Sequence, residues 1–348
     1  MTIQIKRNQT GFSIIELMIA LTLGLLIMLG LSTIYIKNLN TRNEIERANQ
    51  QVENGRYAMQ ILTDDLQNAG YLGSLDPRPL VTPLVKPDPC ANDLATLKLA
   101  LPLAIQGYDN GTVVPSCLAD VKTGTDIVVI RRANTCALGE LGCDAQVNGD
   151  PYFQASECSN ANELSSSNSA DYYVLDTAIS NFTKHKNDCT PSSGTIAPIY
   201  QYRTHIYFIA NNDKSGDGIP TLKRAELGVG GFTTVPLVEG IEDLQLEYGI
   251  DTSIIGVPAI FIANPDGYLG CSGQTCLDYW RNSVAEKIYI LARNTSITNG
   301  YTSAKIYSMG LKADGTANVD GPFNDSYKRH AYNSVVRTIN ISSRNNTQ

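Results

Sequence analysis

The hydrophobic pattern of this chain begins as an unbroken run and only later becomes periodic. Residues 12–36 are apolar or small, and Glu16 is their only charged side chain. About 20 such residues suffice to cross a bilayer as a helix. Lys6 and Arg7 precede the run, which predicts a cytoplasmic N-terminus and an exported remainder. Beyond it, Ile45, Ala48, Val52, Gly55, Met59, Leu62, Leu66 and Ala69 step by threes and fours. That spacing predicts an amphipathic helix, with Glu44, Arg47, Gln51, Arg56, Asp64, Asp65 and Gln67 on its other faces. Gly70-Tyr71-Leu72-Gly73 and Pro77 end the pattern. A helix over residues 12–69 would be roughly 85 Å long at 1.5 Å per residue. It exceeds any bilayer, so its second half is expected to pack on the protein's own head.

The rest of the chain reads as strands. Residues 74–200 are rich in Pro, Asn, Ser and Cys, with strands expected at 126–130 and 172–175 and a polar loop at 165–169. Alternation is cleaner afterwards: a strand at 200–210, a turn at 211–218, and strands at 244–248, 287–292 and 335–341. The expected fold class is α+β. A long N-terminal helix, transmembrane in its N-terminal half, packs on a mainly antiparallel, β-rich head. The expected divisions are a short leader at 1–11, the helix at 12–72 and the head at 73–348, with a loop-heavy insert at about 74–200.

Composition narrows the picture. The formal net charge is −7, and loss of the leader would remove two positive charges and no acid. An acidic chain without basic runs is a poor nucleic-acid binder, because duplex affinity rests mainly on phosphate neutralisation. Eight cysteines (Cys90, Cys117, Cys136, Cys143, Cys158, Cys189, Cys271 and Cys276) all follow the apolar run. In an exported chain an even number suggests disulfides. Cys136–Cys143 and Cys271–Cys276 are the expected local pairs, since their loops are short and contain glycine. The other four cannot be paired from sequence. Zinc is the rival, but Cys271-x4-Cys276 fits a knuckle only loosely, and His185, His205 and His330 cluster with no cysteine.

The start of the apolar run holds the strongest local signal. A carboxylate within a span costs at least about 2.5 kcal/mol at the centre and less near an interface, so it normally marks function. A secretory signal would put its small-residue cleavage site after the apolar stretch. Here Gly11 comes before it. A plain membrane anchor leaves both Glu16 and the Gly11-Phe12 junction unexplained. Gly11-Phe12-Ser13-Ile14-Ile15-Glu16 resembles the prepilin signature. The resemblance implies that a prepilin peptidase cuts after Gly11 and methylates the Phe12 amine. It also implies that Glu16 pairs with the Phe12 ammonium of a neighbouring subunit. Opposite charges attract far more strongly in hydrocarbon than in water.

Further stretches resemble PilW-type minor pilins of type IV pili. They are Asn54-Gly55-Arg56-Tyr57-Ala58-Met59, Gly70-Tyr71-Leu72-Gly73, Gly124-Thr125-Asp126-Ile127, Leu237-Val238-Glu239-Gly240-Ile241-Glu242-Asp243-Leu244, Tyr248-Gly249-Ile250-Asp251 and residues 329–337. Residues 74–120 and 140–200 are unmatched. The resemblance implies a low-abundance subunit in a tip complex that primes pilus assembly and supports twitching motility, adhesion and DNA uptake. Its implied partners are other minor pilins, the major pilin, the inner-membrane assembly platform and a PilY-type tip adhesin. The implied location is the inner membrane before assembly, and the periplasm and pilus tip after it. A J-type pseudopilin of type II secretion shares the prepilin start and is the nearest alternative.

Other motifs add little. Asp213-Lys214-Ser215-Gly216-Asp217-Gly218 looks like the front of a calcium loop, with Asp213, Ser215 and Asp217 as weak ligand candidates. Arg224 stands where a bidentate Glu is needed, which excludes an EF-hand. Asn264-Pro265-Asp266-Gly267 is most simply a turn. No Gly-x-Ser-x-Gly elbow, His-Glu-x-x-His or phosphate loop is present, so neither an enzyme nor a cofactor is expected. A membrane-anchored exported enzyme is the alternative of a different class. Asp64-Asp65 reads as a solvated pair on a helix surface.

Overall fold

A computed structural model describes residues 11, 13–190 and 193–346, which fall into two compact units, Met1–Asn49 and Gln50–Gln348. Helix α1, Ile14–Gln67, begins in the first unit and ends in the second. Within the first unit its apolar side chains, from Ile14 to Ile36, are exposed. The helix is long and apolar enough there to cross a membrane.

The second unit is built on antiparallel sheet. Its larger sheet holds β1 (Ile105–Tyr108), β2 (Ile127–Ala137), β3 (Tyr152–Ala155), β4 (Tyr173–Asp176), β5 (Ile199–Ala210), β6 (Thr221–Gly228) and β7 (Gly231–Glu239). The order is β1-β2-β5-β3-β4, and β6 pairs with the other half of the long β5 and carries β7. A four-stranded sheet orders β13 (Arg329–Arg337), β10 (Ser283–Arg293), β8 (Ile241–Ile250) and β9 (Ile260–Ile262). A two-stranded hairpin, β11 (Tyr307–Leu311) and β12 (Ala317–Asp320), pairs with neither sheet but packs through Tyr307 and Met309 on Leu291 of β10. Among the described residues the unit also holds three short α-helices, α2 (Leu94–Ala100), α3 (Gln274–Arg281) and α4 (Ile339–Asn345).

The last turns of α1 bury Gln51, Gly55, Ala58, Leu62, Asp65 and Leu66. Ala58, Leu62, Leu66 and Ala69 join one core with Val128 and Tyr207 of the larger sheet and Leu246, Tyr248 and Ile288 of the four-stranded sheet. Gly55, Leu62, Leu66 and Ala69 of the expected stripe are buried, and Met59 packs against the core beside Ala58. At the first buried turn Gln51 faces inward in place of the exposed Val52, held by polar partners. Gln51 donates to the carbonyls of Ala292 and Lys328, each at 2.8 Å, and Asn54 donates to Glu239 O at 2.9 Å.

Two expectations need correction. The strand expected at 335–341 ends at Arg337; helix α4 follows from Ile339, and Ile341 and Ser342 are buried. Asp65 is not a solvated surface residue. It is buried, and it accepts bonds from Arg132 Nε at 2.7 Å, His205 Nδ1 at 2.6 Å and the Tyr207 hydroxyl at 2.9 Å. Burial pushes its carboxyl up, but His205 and Arg132 outweigh that and hold it well below the usual carboxylate range. Both residues lie on strands far away in sequence, so helix periodicity could not reveal them.

Candidate functional site

The first unit contains the residues singled out for the expected processing junction. Gly11 and Glu16 are described and exposed; Phe12 lies outside the described residues. Ser13 stands immediately before α1, and Glu16 is the helix's third residue. The Ser13 amide donates to Glu16 Oε2 at 3.1 Å, and Leu17 N closes the first helical turn on Ser13 O at 3.1 Å. Ser-x-x-Glu is the spacing of a capping box, in which the acid returns to satisfy an orphan amide at the helix start. The sequence carried this signal, but it was overshadowed by the motif around it.

In this chain Glu16 thus holds a bond to its own backbone. It also sits in the first helical turn, where a negative charge is favoured by the helix dipole. The carboxylate can take a cation alongside the Ser13 amide without losing its helix, since it has two oxygens and about four lone-pair positions. Above it, the hydroxyls of Thr22 and Thr33 bond back to carbonyls three and four residues earlier. Their polar atoms are thereby satisfied inside an apolar surface.

In the second unit all eight cysteines are paired: Cys90–Cys117, Cys136–Cys143, Cys158–Cys189 and Cys271–Cys276. Three of the four bridges fall within the region that sequence reads as loop-heavy. A tight acidic cluster at Cys136, Glu140 and Cys143 has metal-like spacing, but both thiols are bonded to each other. At the 211–218 turn, Asp217 accepts the amides of Asp213, Lys214 and Ile219, and Lys223 donates to Asp213 O. The Asp217 oxygens offered as ligands are thus already engaged by the main chain.

Catalytic arrangements fare no better. Ser156 donates to Glu163, and His185 Nδ1 lies 2.9 Å from the same carboxyl. The hydroxyl therefore meets the acid and not the imidazole, the reverse of a nucleophile–base pair. Lys86 lies over the rings of Tyr108 and Trp280, at 4.4 and 4.8 Å, and bonds to Asp266; Trp280 donates to the same carboxyl. This cluster ties the 264–267 turn to α3 and β1.

Comparison with known families agrees with the geometry. Residues 206–340 match the model for Type IV Pilus-assembly protein W, and residues 6–32 match the Prokaryotic N-terminal methylation motif. No curated protein and no solved structure matches the chain. The chain is thus similar to a type IV pilus assembly family over residues 206–340 and to N-terminally methylated chains over residues 6–32, and α1 is long and apolar enough to cross a membrane.

Proposed function

We propose that this minor pilin is cut after Gly11, methylated on Phe12 and built into a priming complex at the pilus tip with other minor pilins. The observation that carries the reading is the exposed apolar face of α1 headed by Glu16. A surface of large apolar side chains in a folded chain marks a membrane or a protein interface. An interface made of the same kind of helix satisfies both in turn: lipid before assembly, neighbouring helices afterwards. Glu16 then exchanges or shares its bond with Ser13 for a contact to the Phe12 ammonium of the adjacent subunit, which low dielectric strengthens. From the tip position the complex would support twitching, adhesion and DNA uptake, with the disulfide-stapled unit facing other minor pilins or a PilY-type adhesin. The rival is a J-type pseudopilin of type II secretion; the pilus-assembly match over residues 206–340 favours the pilus.

The test replaces Glu16 with Ala in a strain lacking the wild-type copy. Membrane-resident protein should be unchanged, because the substitution removes a charge from the span, while surface pili fall sharply. Normal piliation with the variant present in sheared fibres at wild-type levels overturns the role of Glu16. Retained pili with lost protein secretion in the deletion strain moves the protein to the secretion system.

A further inference from the structure

Strand β9 ends the four-stranded sheet, and among the described residues it pairs only with β8. No other backbone hydrogen bond among those residues reaches Ile260, Phe261 or Ile262. An edge strand turns alternate amides and carbonyls outward, where they can template another chain. Two other edges are blunted. Along β1, Lys86 donates to Gly107 O and Gln106 to Pro87 O, and β7 carries Pro236, which has no amide hydrogen. Strand β9 holds neither charge nor proline. Its place is fixed from behind: Gly249 lies opposite Phe261, and a Cβ there would come within 2.8 Å of the ring. Lys287 Nζ sits over the same ring at 4.3 Å.

A groove of about 420 Å³ runs beside this edge, walled by β9, by residues 263–269 and by the tip of the β11–β12 hairpin at residues 311–315. Ile260, Ile262, Tyr268, Leu269 and Leu311 give it an apolar lining. The 263–269 wall is held from several sides. Asp266 is bonded by Lys86 at 2.5 Å and by Trp280 at 2.7 Å, and Tyr268 meets the Tyr279 ring edge-on at 5.5 Å. Just beyond, Cys271 is bridged to Cys276. Leu269, at the lip, is 81% exposed with φ at +51°. Bulky side chains rarely adopt that conformation, and such outliers gather at ligand clamps. The rim carries Asp266 and Asp314 against Lys312, in a chain of formal net charge −7. A basic flank is therefore attracted there, and a second copy of this acidic chain is repelled.

We propose that this groove receives an extended apolar segment of a partner chain, which adds to the four-stranded sheet beside β9 and carries a basic residue at its flank. Main-chain bonds to β9 set the segment's direction, and alternate side chains enter the apolar lining, the division of labour in strand addition. Three residues of edge offer few ladder bonds, so the pocket beside them supplies much of the affinity. The preformed wall lowers the cost of ordering on binding.

The test uses full-length protein in lipid nanodiscs and a fluorescent peptide of alternating valine and threonine with a lysine at each end. It needs neither processing nor a fibre, so its outcome is independent of the function proposed above. The peptide should bind saturably and slow amide exchange at residues 259–263. An added strand bonds through alternate amides, so of two N-methylated peptides, one methylated at the valines and one at the threonines, only one should lose affinity, by at least about tenfold. Glutamate in place of the lysines should weaken binding, most at low salt. Leu269→Asn should keep the fold, because asparagine tolerates the left-handed conformation, and should lose binding. Ile260→Thr should behave alike, and should one variant fail to fold, the other gives the answer. Absence of saturable binding overturns the proposal, as do equal affinities of the two methylated peptides or protection appearing along β7 instead. Wild-type affinity in a folded variant, or a dimer of the protein that pairs through β9, also overturns it.

Discussion

Single residues set the sharpest constraints in this molecule, and they are mostly buried acids. Glu286 on β10 is fully buried and accepts from the hydroxyls of Ser283 and Thr338, with no cation among those partners. Burial pushes its carboxyl up to about 8. A carboxyl whose folded value is raised binds its proton more tightly in the folded state, so stability is greatest at low pH and is lost as pH rises toward 8. The slope from this group is at most about 1.4 kcal/mol per pH unit. Glu286→Gln should flatten that part of the pH–stability curve, checked by chemical denaturation from pH 5 to pH 9. An unchanged slope would contradict the assignment. Asp65 illustrates the opposite case, a buried acid stabilised by His205 and Arg132. Neither role is visible in sequence, where an acid on a helix or strand looks solvated; the partners that decide it lie 67 and 140 residues away for Asp65.

At the scale of elements, the pattern of polar and apolar positions was sufficient wherever one face met one environment. The strand expected at 200–210 is β5, Ile199–Ala210, and the one expected at 287–292 lies within β10, Ser283–Arg293. The strand expected at 244–248 lies within β8, Ile241–Ile250, but its alternation did not reveal that both faces are covered. The pattern failed where an element was too short for periodicity, as in α2 and α4 with seven residues each. Gly55 shows why a local motif can have a distant cause. It sits mid-helix, where glycine is costly, because the Tyr332 ring of β13 occupies the space a Cβ would take. Gly55→Ala should therefore destabilise the second unit by about 1–3 kcal/mol through overpacking, in spite of alanine's better helix propensity. Urea denaturation checks this, and truncating Tyr332 in the same chain should recover part of the loss.

At the scale of the molecule, two kinds of stabilisation are combined. Among its described residues the first unit presents an apolar helix with none buried, so lipid or neighbouring helices would have to cover it. The second unit has a large sheet core and four bridges spanning 5, 7, 27 and 31 residues of sequence. Unstrained bridges of such loops contribute about 2–4 kcal/mol each. Reduction should lower the melting temperature of the second unit substantially, most through Cys90–Cys117 and Cys158–Cys189; thermal scans with and without reductant check it. The local pairs were readable from short glycine-containing loops, whereas the long-range pairs depend on sheet topology that spacing does not encode. The N-terminal methylation motif was recognisable because its pattern is carried by consecutive residues. The central claim, that the chain is processed at Gly11 and enters a pilus, is tested most directly by mass spectrometry of protein recovered from sheared pili. The account predicts a chain beginning at methylated Phe12, present at low abundance beside the other pilins. Protein that still carries residues 1–11, or that is absent from the fibres while abundant in the membrane, would contradict it.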